Sequence, residues 1–229
     1  AFMKTEADSR RLAEMLVAIG RASGVRTEAV ITDMDTPLGE AVGNALEVVE
    51  CLEILKGRGD ARLVECCREL TVRMLLLGQM ASDRADAERR IERAIASGEA
   101  LERFRRIIEG QGGDPHVVDD YSRLPAAPST VVVPAERGGY LSRLDAELVG
   151  RASVVLGAGR DRVDDAVDPA VGILVKARPG ALVASGEAIL ELHYRTQAKL
   201  DAALALARRA ITIGDQPPAL RPIIVGEVR

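Results

Sequence analysis

Asp33, Asp35 and Glu50 are the residues whose type and spacing first suggest chemistry. All three fall in one stretch, Thr32 to Glu50, TDMDTPLGEAVGNALEVVE. Two carboxylates so close together suit general acid–base work or a divalent metal. The same pair is also common in the turn that leads into a helix, where Asp bonds its own backbone, and neither is assigned a catalytic role. After them, Leu38 to Gly43 forms an irregular loop, with Pro37, Gly39 and Gly43 available to turn its carbonyls inward. Glu50 follows about two turns into the next helix and can lean back over that loop. The plainer reading is a helix N-terminus with Glu50 in solvent, and the residue types alone favour it.

Other candidates carry less. Leu156-Gly157-Ala158-Gly159-Arg160 could cradle a phosphate, but it lacks the strand before it and the Lys-Ser/Thr after it. A structural turn is the better reading. Residues 173–193, ILVKARPGALVASGEAILELH, resemble the hammerhead of biotinyl and lipoyl carriers. Such a carrier needs a lysine at the tip of a following hairpin, and the next lysine, Lys199, falls inside an expected helix. Cys51, Cys66 and Cys67 lack metal-ligand spacing and read as buried thiols in a reducing compartment. His116 and His193 are too few and too far apart for a zinc cluster. Phe2, taken alone, is a core residue.

Elements must position these groups. Thr5 and Asp8 begin a helix whose apolar face is Leu12, Met15, Leu16 and Ile19, closed by Gly20 and Gly24. Thr27 to Thr32, TEAVIT, reads as a buried parallel strand. The helix after the loop carries Ala45, Val48, Val49, Leu52 and Leu55 on one face, with Val42, Leu46 and Ile54 outside it as a second apolar surface. A long third helix carries Leu63, Cys67, Leu70, Met74 and Leu77; Ser82 caps a fourth, and Leu101 to Ile108 lies in a fifth. Leu124 to Ser129 is a Pro- and Ala-rich linker. Beyond it come strands at Val131–Val133, Gly172–Ala177 and Glu187–His193, and helices over Ala146–Leu156 and Thr196–Ile213; the tail holds a β-like Ile223–Val225. The fold class is α/β. A partial doubly wound α/β domain (1–123) and a linker (124–130) precede a smaller α+β domain with a hammerhead-like β unit (131–229).

Of the 229 residues, 47% are hydrophobic, enough for a sizeable core. The net charge of −4 argues against a nucleic-acid partner, and the basic run Arg103-Phe104-Arg105-Arg106 is interrupted by Glu102 and Glu109, as on a solvated helix. No run of about 20 apolar residues suggests a membrane partner.

The organising stretch, read as T-D-M-x-x-P-L-G-x-x-x-G-N-A-L-E-V-x-E, resembles the signature of the thymidine and pyrimidine-nucleoside phosphorylases. The resemblance begins at Ala1-Phe2-Met3-Lys4-Thr5. It continues through Gln111–Pro115, Leu156–Arg160 and Asp168-Pro169-Ala170-Val171-Gly172, so it covers almost all of the chain in order. It implies a glycosyltransferase (pentosyltransferase) that cleaves pyrimidine (deoxy)nucleosides with inorganic phosphate, giving free base and pentose 1-phosphate. Catalysis in that family is largely electrostatic, through donors fixed around phosphate and leaving base. The resemblance further implies a cytoplasmic homodimer of nucleoside salvage with no organic cofactor. It sets Phe2 against the pyrimidine ring, and a potassium ion on the carbonyls of Leu38 and Ala41 and the carboxylate of Glu50. Asp35 departs from the Asn or Ser usual there. The family's phosphate loop, two further cation ligands and its base-binding Arg, Ser and Lys precede anything matched here. The chain therefore reads as the C-terminal half of such an enzyme, truncated at its N-terminus, without catalytic residues and inactive alone. A non-catalytic scaffold or partner subunit is the alternative, and a carrier module a weaker one.

Overall fold

A computed structural model describes residues 3–160 and 162–229. The protein is mixed α/β, as expected, and its chain condenses into two compact units that do not follow chain order. Residues up to 34 join 61–100 and 221–229 in one; 35–60 join 101–220 in the other.

In the first unit, α1 (Glu6–Ala22) starts as its sequence dictates: the Thr5 hydroxyl accepts the Asp8 N–H at 3.1 Å. The helix packs on a two-stranded antiparallel ribbon of β1 (Ala29–Thr32) and β9 (Ile224–Val228). The expected buried parallel strand is thus corrected: β1 pairs antiparallel, and only Ile31 in it is buried. An antiparallel pair can leave a face in water, so half-burial suffices, which a parallel strand rarely tolerates. The expected inward stripe of α1 is corrected too. Ala13 and Val17 are buried, whereas Met15, Leu16 and Ile19 are 56%, 53% and 60% exposed. A narrow ribbon covers a narrow stripe, and that stripe lies one residue, about 100°, round the helix from the most apolar one.

A rotation of similar size but opposite sense occurs in α3 (Ala61–Leu77). Cys66, Glu69 and Val72 are buried, while Leu70 and Met74 of the expected stripe are exposed. Arg73 explains why a charged face turns inward. Its guanidinium bonds Glu69 at 2.7 Å, Glu28 at 2.8 Å and also Glu227, tying the helix to both strands at one end of the ribbon. α4 (Arg84–Ala96) packs on α3; its cap is Asp83 rather than Ser82, accepting the Asp86 N–H at 2.8 Å. The rotation of α1 makes a sharp prediction for adjacent residues. Leu16→Glu should change unfolding free energy by no more than about 0.5 kcal/mol. Val17→Glu should remove more than about 4 kcal/mol by burying an unpaired charge. Urea denaturation of the two variants checks this, and equal losses would restore the expected face.

The second unit holds the larger core. A four-stranded antiparallel sheet runs β2 (Ala41–Gly43), β5 (Gly172–Val175), β7 (Ala188–Tyr194), β3 (Ser129–Pro134); a three-stranded one runs β6 (Leu182–Val183), β4 (Gly139–Leu144), β8 (Ile211–Gly214). Two helices, α6 (Ala146–Leu156) and α7 (Gln197–Ala210), pack together on them. Leu141, Leu144, Val149, Leu156, Ile173, Leu190 and Ala203 lie in this core. The hammerhead-like unit is thereby present as β5 to β7. The last helix ends earlier than its periodicity suggests: Ile211 to Gly214 leave it to pair with β4. β2 lies within the stretch expected to be wholly irregular, and pairing with β5 makes it a strand. α2 (Ala45–Leu55) follows, then α5 (Glu99–Gly110) and two 3-10 turns, Pro115–Val118 and Tyr121–Arg123. Cys66 is buried as expected; Cys51 and Cys67 are exposed, and none of the three is in a disulfide.

Candidate functional site

The loop from Pro37 to Glu40 is fixed at both ends by backbone. On one side the Val175 N–H donates to the Glu40 carbonyl at 2.7 Å, extending the β2–β5 ladder. On the other, just before the loop, the Ala146 N–H donates to the Asp35 carbonyl at 3.0 Å; beyond β2 the Ala45 N–H donates to the Pro169 carbonyl at 3.0 Å at the start of α2. The ladder demands two facing glycines. Gly43 and Gly172 are register partners, and a Cβ on Gly172 would stand 2.6 Å from the Val42 carbonyl oxygen.

Glu50 does lean back over the loop, as its spacing allows. Its carboxylate accepts the N–H groups of Glu40 and Ala41. Gly39 leaves room for it: a Cβ there would lie 2.2 Å from Glu50 Oε2. Burial pushes the Glu50 carboxyl above its ordinary range, against the pull of those two N–H groups and of Arg178. Leu38, Ala41 and Glu50 are therefore brought together at one loop, and Glu50 is no solvated bystander. Arg178 was not legible as a member of this group. Its guanidinium donates to the Pro37 carbonyl at 3.2 Å and the Leu38 carbonyl at 3.5 Å.

Beside the loop is a cleft of about 430 Å³ lined by Glu40, Ala41, Glu50, Glu53, Arg58 and Asp60, among others. The bonds from Arg58 and then Tyr121 hold the Glu53 carboxyl down at about 2. A wider, more open depression in the first unit, lined by Gln79, Met80, Ser82, Arg89 and Arg90, has no such convergence; Arg89 and Arg90 both pair with Asp86.

Two family models match this sequence: the glycosyl transferase family a/b domain over residues 1–101, and the pyrimidine nucleoside phosphorylase C-terminal domain over residues 140–214. The pyrimidine-nucleoside phosphorylase of Bacillus subtilis (strain 168) is 40% identical over 219 residues, 96% of this chain and 50% of that protein. That of Staphylococcus epidermidis (strain ATCC 12228 / FDA PCI 1200) is 39% identical over 227 residues, 98% of this chain and 52% of the relative. The chain belongs to the pyrimidine-nucleoside phosphorylase family. This member spans about half the length of the curated relatives it matches.

Three of the motifs by which it resembles its family, the organising stretch, Leu156–Arg160 and Asp168–Gly172, meet around the N-terminus of α2. Asn44 makes no side-chain cap; its amide instead donates to the Ala158 carbonyl at 2.8 Å, inside the 156–160 turn. Ser153 Oγ donates to the Val42 carbonyl at 3.2 Å. Asp168, bonded to Arg195 at 2.7 Å and to the Ala170 N–H at 3.0 Å, shapes the segment whose Pro169 carbonyl meets Ala45. The 156–160 turn is thus structural, as expected. Asp33 bonds Arg62 at 2.8 Å within the first unit, and the Asp35 carbonyl accepts the Ala146 N–H at 3.0 Å within the second. Lys199 is exposed on α7 rather than at a hairpin tip. Phe2 lies outside the described residues.

Proposed function

We propose that this chain is part of a pyrimidine-nucleoside phosphorylase, a pentosyltransferase that cleaves pyrimidine (deoxy)nucleosides with inorganic phosphate to base and pentose 1-phosphate. Identity of 40% over 96% of the chain to an enzyme of that name carries the reading. In this proposal the chain contributes the 1–123 and 131–229 domains joined at 124–130; the two family-model matches, 1–101 and 140–214, fall on either side of that linker. Phe2 is assigned to the wall of the base site. The loop of Leu38 and Ala41 with Glu50 is a cation-receiving loop at the place where the resemblance puts potassium; the half-buried Glu50 carboxylate bonded to the loop supports a positive charge there, whatever carries it. We place the enzyme in the cytoplasm, in nucleoside salvage, as a homodimer. The exposed apolar stripes of α1 and α3 are consistent with association, and no described helix is long and apolar enough to cross a membrane.

The test is to express the complete reading frame that contains these residues and incubate the product with thymidine or uridine, with and without phosphate. Phosphate-dependent release of free base and pentose 1-phosphate is the expected result. A folded complete product that releases no base under either condition would leave the scaffold alternative in its place.

A further inference from the structure

We infer that the cation of the 37–41 loop is the protein's own Arg178, and that this makes the loop independent of potassium. The donor set is right in type for potassium, being carbonyl and carboxylate oxygens. It does not fit in arrangement. The Leu38 carbonyl already faces a guanidinium nitrogen at 3.5 Å, its neighbour Pro37 another at 3.2 Å, and the Glu50 carboxylate is held by two backbone N–H groups of the loop itself.

Tertiary structure holds Arg178 there. Ala41 pairs with Leu174 and Gly43 with Gly172, so the antiparallel register carried past the end of the ladder sets residue 178 opposite residue 37. The strand exit is pinned by the Lys176 N–H on the Ile189 carbonyl and the Gly180 N–H on the Leu141 carbonyl, both at 2.8 Å. Behind the loop, Arg178 Nε stands 3.0 Å from Asp60 Oδ2, and the two side chains are only 24% and 10% exposed. That nitrogen has no hydrogen-bond partner, so the attraction to Asp60 is purely Coulombic. A guanidinium keeps its charge across the working pH range and offers a planar fork of donors to several oxygens at once. A potassium ion seated on the Leu38 carbonyl would stand beside that fixed charge, or expel it and forfeit its attraction to Asp60. Arg178 is in this reading a positioning residue for the loop; no contact with substrate is assigned to it.

The test is the thermal midpoint of the purified chain in potassium, sodium or choline chloride at matched ionic strength, about 0.1 M. The unmodified protein should melt at the same temperature in all three salts, within about 1 °C, because no ion binds the folded state alone. Arg178→Met should melt lower in sodium and choline and recover in potassium, as the vacated carbonyls accept the ion. Arg178→Lys, which keeps a charge at this position, should stay indifferent. A saturable, potassium-specific rise in the unmodified protein overturns the inference, and so does a folded Arg178→Met that ignores potassium. If Arg178→Met does not fold, the unmodified protein and Arg178→Lys still decide. The inference rests on the cation-loop reading; because melting is read rather than turnover, its failure is distinct from failure of the phosphorylase assignment.

Discussion

Residues 1–229, purified as they stand, are expected to release no free base from thymidine or uridine with phosphate. Phosphorolysis needs a dianion held in place and positive charge delivered to the departing base, and one preorganised donor alone is worth about 10²–10³ in rate. The cleft beside the cation loop offers the reverse. Glu40, Glu50, Glu53 and Asp60 line it against a single guanidinium, Arg58, which is committed to Glu53 at 2.7 Å. Asp33 is committed to Arg62, and Arg178 to loop carbonyls and Asp60. Phosphate brought to such a surface meets repulsion from carboxylates at close range. The measurement is base release followed by chromatography against a phosphate-free control. Phosphate-dependent turnover at the rate of an intact family enzyme would show that the chemistry lies within these residues after all.

The second large effect concerns the loop's foundation. Gly172→Ala should destabilise the second unit by about 3 kcal/mol, at the upper end for overpacking. The new methyl would lie 2.6 Å from the Val42 carbonyl oxygen, 3.0 Å from Leu46 Cδ1 and 3.3 Å from Gly43 Cα. The first and last of these belong to backbone in a paired strand and cannot swing aside. Relief requires β2 to separate from β5, which would carry Pro37 and Leu38 away from Arg178. Gly150→Ala is the control. It sits inside α6 with nothing within 4 Å of its added Cβ, so it should stabilise by about 0.5–1 kcal/mol. Urea unfolding of both variants reads the contrast, and losses of similar size in the two would refute the close-approach argument.

Much of this protein was settled by its sequence alone. The Thr5 cap, the α6 span from Ala146 to Leu156 and the strands on either side of Pro179-Gly180 follow from local chemistry: a hydroxyl that reaches an N–H, an apolar period, a turn dipeptide. Family membership was equally legible, because motif residues keep their order along the chain whatever they touch. The return of Glu50 to its loop also followed from spacing, since ten residues of loop and helix bring it back to Glu40.

What covers each face was a different matter. Periodicity states which residues of α1 share a side but not what will lie against it. A two-stranded ribbon and the Arg73 network turned α1 and α3 about 100° from their most apolar stripes. Ile211 to Ile213 continue a helical pattern, yet β4 offered them unpaired backbone groups, and pairing outweighed propensity. The place of Arg178 was least visible of all. Nothing near Arg178-Pro179-Gly180 points to carbonyls about 140 positions earlier. Only the pairing of β2 with β5, through two glycines that let the strands close up, sets that charge against the loop. Local bonds are written in neighbouring residues; the partner of a buried charge is chosen by the register of strands far apart in the chain.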